Sequence, residues 1–210
     1  MIRTESKTRR LRFAFTILEL MVVLSVIALL TAILSPVFTT AKKSAKKTSC
    51  QSNLRQIGLL VQLYGSDWED CYPYAIDQFS RHNLEALSDF TPPYDQIPDM
   101  VTVLNVYSGR SAQIWKCPSD QTSFAVKNSE GVTIQSFPSA FDFAGSSYKF
   151  DFPYKIAGKS QTLFDTSSFR LCGDAGLWHC DVENTTIYTK TQNELFGDGH
   201  VHFVSIMDQS

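Results

Sequence analysis

Two histidines, His200 and His202, sit two residues apart near the end of the chain, in "FGDGHVHFV". In a strand they would share one face, where two imidazoles and the Asp198 carboxylate could gather around zinc or copper. No third histidine or cysteine pair lies close by. His179, beside Cys180, stands too far upstream to complete the set, so both histidines read as edge residues or satisfied polar groups. The turn "CGDAG" at 172–176 offers oxygens to calcium, but one aspartate falls far short of the six to eight ligands that ion takes. No metal or other cofactor is therefore expected. The sequence also lacks a GxSxG elbow, an HExxH helix and a phosphate-binding glycine loop, and catalysis is not expected either.

Five cysteines stand at 50, 71, 117, 172 and 180, with no CxxC pair among them. Outside the cytoplasm they could form disulfides. Cys50 with Cys117 would pin a helix to the rest of a domain, and Cys172 with Cys180 would close a hairpin, leaving Cys71 over. Buried, reduced thiols are the other reading, because connectivity does not follow from spacing.

The residue that most needs explaining is Glu19. From Phe15 to Thr40 it is the only ionisable group in a run long enough to span a bilayer as a helix. It could snorkel to the interface, helped by the helix dipole in the first turn. The basic stub and apolar run could also be a signal peptide cut near Ala41, but the run exceeds an ordinary h-region. A third reading starts from cost. A carboxylate in hydrocarbon needs a partner, and a cut between Ala14 and Phe15 would create one, a free amine on Phe15 of the same or a neighbouring helix.

These groups must be positioned by a chain of 210 residues, enough for one membrane segment and one modest domain. Residues 1–14 carry +4, so the remainder carries −6 within a net charge of −2. That acidic remainder argues against nucleic-acid binding. Beyond the apolar run the pattern stays helical. Cys50, Leu54, Ile57, Val61 and Tyr64 follow a 4-3-4-3 spacing that puts five apolar side chains on one face, and Gly65 is the expected C-cap. Lys42, Lys43, Lys46 and Lys47 read as a solvated face in preference to a lipid-headgroup site. Pro36 removes a helix hydrogen bond and should kink the helix.

Past the helix, "MVTVLNVY" reads as a short helix or a strand. "QIWKCPSD" reads as a strand stopped by Pro118. "FRLCGDAG", "TIYTK" and "HVHFVSI" read as further strands. Asp198-Gly199 signals a hairpin, since Gly199 can take positive φ. The expected fold class is α+β: a long N-terminal helix, its first half transmembrane, packed on a small antiparallel sheet.

"RFAFTILELMVV" resembles the class III signal of type IV pilins and type II secretion pseudopilins, matching from Ala14 through Leu20, with Ala14 where the family usually has glycine. "SCQSNLRQIGLLVQLYGSDWEDCYP", "WKCPSD" at 115–120 and "FGDGHVHFV" at 196–204 are similar to a large bacterial group of pilin-like proteins that add a C-terminal processing-associated domain. That group usually places a histidine shortly before the Asp-Gly pair, whereas here His179 is much further upstream. The resemblance implies a cytoplasmic leader at 1–14, a transmembrane and assembly helix at 15–40, an amphipathic continuation at 41–64 and an extracytoplasmic pilin-like domain at 65–210.

It also implies cleavage after Ala14 and N-methylation of Phe15 by a prepilin peptidase, Glu19 meeting the Phe15 amine of an adjacent subunit, and a helix bend near Pro36. Implied partners are that peptidase, copies of the chain and other pilins or pseudopilins, an inner-membrane assembly platform, and membrane lipid. The expected location is the bacterial inner membrane, with the N-terminus cytoplasmic. The other functional reading is a single-pass, membrane-anchored binding or metal-dependent enzymatic domain.

Overall fold

The computed structural model describes residues 16–82, 96–121, 123–127, 133–150, 158–163, 165–176 and 189–207. The chain divides into two compact units, residues 1–42 and 43–210. One helix, α1 (Ile17–Asp67), passes from the first to the second. Up to Phe38 its large apolar side chains are all exposed, and α1 is long and apolar enough to cross a membrane. Two hydroxyls in this part bond back along the helix: Ser25 to the Val22 carbonyl at 2.8 Å, and Thr31 to the Ile27 and Ala28 carbonyls at 3.0 Å, which lowers the cost of carrying them into lipid. The helix runs on through Pro36, where Thr39 and Thr40 donate to the Ser35 and Pro36 carbonyls.

The second unit is α+β. Its part of α1 buries Cys50, Leu54, Ile57, Leu60, Val61 and Tyr64, which includes all five residues of the expected stripe. Gly58 lies on the same side, where the sheet comes close: a Cβ there would stand 3.0 Å from Leu195 Cδ1, so that buried side chain would have to give way by a few tenths of an ångström. Gly65 is not the C-cap. It is buried inside the helix, which ends at Asp67. The Gly65 carbonyl then accepts from Trp68 N–H at 3.1 Å and Asp70 N–H at 2.8 Å. Glu69 and Asp70, at φ +51° and +56°, reverse the chain in the left-handed region. The termination rests on this local hydrogen bonding rather than on a glycine.

Short helices α2 (Gln78–His82) and α3 (Met100–Asn105) follow. Strands β1 (Phe124–Lys127) and β2 (Thr133–Phe137) form a separate antiparallel pair. Helix α4 (Ala140–Ala144) leads into β3 (Tyr148–Phe150), β4 (Arg170–Asp174), β5 (Thr189–Phe196) and β6 (Val201–Met207). These four form an antiparallel sheet in chain order. The core joins the α1 stripe to Trp115, Tyr148, Phe150, Leu171, Cys172 and Leu195.

The segment expected as a strand at "QIWKCPSD" is a 3-10 turn, Ala112–Trp115. Ile114 and Trp115 are buried together, and consecutive inward side chains do not fit the alternation of a strand. "MVTVLNVY" contains α3, capped by Asp99, whose carboxylate accepts from Thr102 N–H at 3.2 Å.

Asp77 precedes α2 and is buried. It accepts from Ser80 N–H at 3.2 Å and Phe150 N–H at 3.4 Å. Burial outweighs those bonds and pushes its carboxyl from 3.8 up to about 6. Between those values the folded chain holds a proton that the unfolded chain has released, so this group's contribution falls as pH rises through that window and is flat above it. The full swing is about 3 kcal/mol. Asp77→Asn removes it. The stability of the variant relative to the parent, measured by urea unfolding of the detergent-solubilised chain, should therefore rise by about 2–3 kcal/mol from pH 4 to pH 6.5. A difference that does not change with pH would mean the Asp77 carboxyl is not raised.

Candidate functional site

Ala14 and Phe15, the expected processing site, lie outside the described residues. The described residues begin immediately after them, at Thr16, and there the position of Glu19 takes on a specific form. Thr16 precedes the first turn of α1. Its hydroxyl accepts from Glu19 N–H at 3.2 Å. The Glu19 carboxylate folds back to accept from Thr16 N–H at 2.9 Å and from the Thr16 hydroxyl at 2.8 Å. This is a reciprocal capping box, which satisfies amide donors that a helix start otherwise leaves open. The signal for it, Thr-x-x-Glu ahead of an apolar run, stands in the sequence at 16–19, yet the cost of a buried carboxylate had drawn attention to an external partner.

In the second unit, three short motifs meet around α1. Cys50 is joined to Cys117 by a disulfide. One turn along the helix, Asn53 Nδ2 donates to the Lys116 carbonyl at 3.0 Å. Leu54 and Ile57 enter the core. The "SCQSNLRQI" stretch is thus a set of attachments between α1 and the 113–117 segment.

At the end of "WKCPSD", Asp120 is buried and its carboxylate collects three donors. These are Ala140 N–H at 3.1 Å, Phe141 N–H at 2.9 Å and the Ser147 hydroxyl at 2.6 Å. Ser147 Oγ in turn accepts from Cys117 N–H at 3.0 Å. Asp120 therefore ties the disulfide-bearing loop to the start of α4 and the approach to β3. Its role as a clasp for backbone amides was not legible from the motif.

The third motif is the β5–β6 turn. Gly199 has φ +88°, as the Asp-Gly signal implies, and its N–H reaches the Phe196 carbonyl at 2.9 Å. Gly197 is needed for proximity: a Cβ there would lie 3.1 Å from Thr166 backbone atoms and from Tyr72 Oη. Gly197 N–H and Asp198 N–H donate to the Phe169 and Thr166 carbonyls at 2.9 and 3.0 Å.

His200 lies in this turn rather than in β6. Its ring stacks on Phe196 with centroids 4.4 Å apart. Its Nδ1 is 2.5 Å from Asp198 Oδ1, the same oxygen that accepts its backbone N–H at 3.0 Å. That backbone bond is the main reason the Asp198 carboxyl sits below its ordinary value. His202 stands on β6 opposite Glu194. Among the described residues no three His, Cys, Asp or Glu side chains gather into a metal-holding group, and His179 lies outside those residues. In "CGDAG", Asp174 Oδ2 accepts from Asn193 N–H at 2.8 Å and Nδ2 at 3.0 Å.

Of the second expected cysteine pair, Cys172 is buried within β4, opposite Leu195. Cys180 lies outside the described residues. Cys71 is a half-buried free thiol. No family model, curated protein or solved structure matches the chain.

The Cys50–Cys117 bond closes a loop across 67 positions, a span for which the chain-entropy account gives about 4 kcal/mol. Cys117→Ser should lower the unfolding free energy of the detergent-solubilised chain by about 2–4 kcal/mol. The parent under reductant should unfold at the same urea concentration as the variant. Equal stability of parent and variant under oxidising conditions would show that the bond does not form.

Proposed function

We propose that this protein is the precursor of a pilin-like or pseudopilin subunit, a structural building block of a type II secretion or type IV pilus filament. The observation that carries the reading is the capping box at Thr16 and Glu19, at the head of a helix whose large apolar side chains are exposed up to Phe38 among the described residues. Before processing, the box gives the Glu19 carboxylate donors within its own chain, so the precursor can hold an acid at the membrane without a cationic partner. Cleavage after Ala14 would place a new positive charge on Phe15, next to the Thr16 amide to which Glu19 already bonds. The carboxylate is then within a residue of a terminal amine in its own chain. In a bundle of such helices it can exchange its Thr16 bonds for the amine of a neighbour.

In this reading a prepilin peptidase cuts and N-methylates the chain on the cytoplasmic side of the inner membrane, and an assembly platform adds the subunit to copies of itself or to related pilins. The second unit would face outward and carry the filament's surface. The clasps at Asp120, Gly197 and Cys50–Cys117 suit that role, because they make a fixed domain rather than a reaction centre.

Co-expression with a prepilin peptidase, followed by intact mass measurement, tests the reading. The mature chain should begin at Phe15 and carry one additional methyl group. A chain still beginning at Met1 would support a membrane-anchored domain, and one beginning near Lys42 a secreted domain; either overturns the proposal. With the assembly platform and partner pilins present, Glu19→Leu should remain in the membrane and reach sheared filaments at least tenfold less than the parent. Equal incorporation would remove Glu19 from the assembly step.

A further inference from the structure

The buried stripe of α1 runs Cys50, Leu54, Ile57, Val61 and Tyr64 in steps of four and three. Followed back toward the N-terminus on the same steps, it meets Lys47 and then Lys43, with Lys46 beside them. The face that packs on the core therefore turns cationic where the core ends. Lys47 marks the change, its ammonium lying 2.9 Å from the Phe203 ring centroid. Lys46 and Lys47 are half-buried, whereas Lys42 and Lys43 are exposed, so the solvated face expected from the sequence holds for the first two lysines and not fully for the last two.

Lys43 follows closely in the chain on the apolar run that ends at Thr40. From Lys43 to Lys47 the helix advances about 6 Å, comparable to the roughly 5–8 Å depth of one headgroup layer. Wherever the apolar run enters a bilayer, these ammonium groups fall at the depth of the lipid phosphates. Stems that run along protein or lipid with the charge at the interface are the usual disposition of lysine there.

We propose that Lys43 and Lys46, with Lys47 beside them, form a docking surface for the phosphates of anionic phospholipids. The surface holds the base of the second unit against the membrane. This rests on the apolar run entering a bilayer and not on processing or filament assembly. Each lysine near an anionic surface contributes about a fivefold gain in affinity.

The basic leader could also attract such lipids, so the test is made in full-length protein with Arg3, Lys7, Arg9, Arg10 and Arg12 all changed to Gln. Purified from detergent with equal phosphatidylglycerol and phosphatidylethanolamine, this protein should retain phosphatidylglycerol at least fivefold over phosphatidylethanolamine by native mass spectrometry. Adding Lys43→Gln and Lys46→Gln should reduce that preference at least fivefold, and salt should weaken it in the lysine-bearing protein. Disulfide content, read by thiol alkylation, reports that both proteins carry a folded second unit. Lack of preference in the lysine-bearing protein, or full preference after the double substitution, overturns the proposal.

Discussion

The close approach of α1 to the sheet is the constraint from which the second unit follows. Gly58 permits it, because any side chain there meets Leu195. Leu54, Ile57 and Val61 then bury fully beside Leu171, Cys172 and Leu195, each worth on the order of 1.5–3 kcal/mol relative to exposure. With the helix this near, the β5–β6 turn must also be compact. Gly197 and Gly199 provide that, one by leaving room for Thr166 and Tyr72 and the other by accepting positive φ. One glycine on the helix and two in a turn distant from it in sequence thus serve the same close packing.

Buried carboxylates do the work at the edges of this core that regular secondary structure does not reach. The second unit is rich in loops, and loop amides closed off from water need acceptors. Asp120 takes two amides and a hydroxyl, Asp77 two amides, and Asp174 the Asn193 amide and side chain. At Asp120 three donors converge on one buried carboxylate. Where the bonds are long, as at Asp77, desolvation prevails and the proton is held more tightly. Glu194 is buried as well, and Arg170 and Gln192 both donate to it. Acidic residues that look from composition like surface charge are in these places part of the interior.

This explains which parts of the fold were legible in the sequence. The α1 stripe was, because periodic apolar spacing reports burial directly. The Asp198-Gly199 turn was, because a backbone need maps onto one residue type. The Thr189–Phe196 strand was anticipated only at its start: Asn193 and Glu194 look solvent-facing, and their burial depends on Asp174 and Arg170, which nothing local announces. The same holds for "QIWKCPSD", where Trp115 and Ile114 satisfy a three-dimensional core by leaving strand geometry. At the head of the helix, Glu19 was legible as an anomaly, but its bonding to Thr16 was overlooked because cost alone does not say where a carboxylate will turn.

The two parts of α1 solve the same problem with different solvents. From Cys50 onward, polar backbone is internal to the helix and the apolar stripe is covered by the core of the second unit, while Leu59 and Leu63 on another face stay exposed. Up to Phe38 the backbone is again bonded within the helix, apart from the donor lost at Pro36, and Ser25 and Thr31 bond back to it, but the large apolar side chains are exposed among the described residues. An apolar surface of that extent is stable only in lipid or against other apolar helices. Those two environments make opposite demands on Glu19. Lipid favours a carboxylate whose donors come from its own chain, and a helical assembly favours one that can take a donor from elsewhere. A capping box answers the first demand without forbidding the second, because its bonds to Thr16 are local and can be exchanged one at a time.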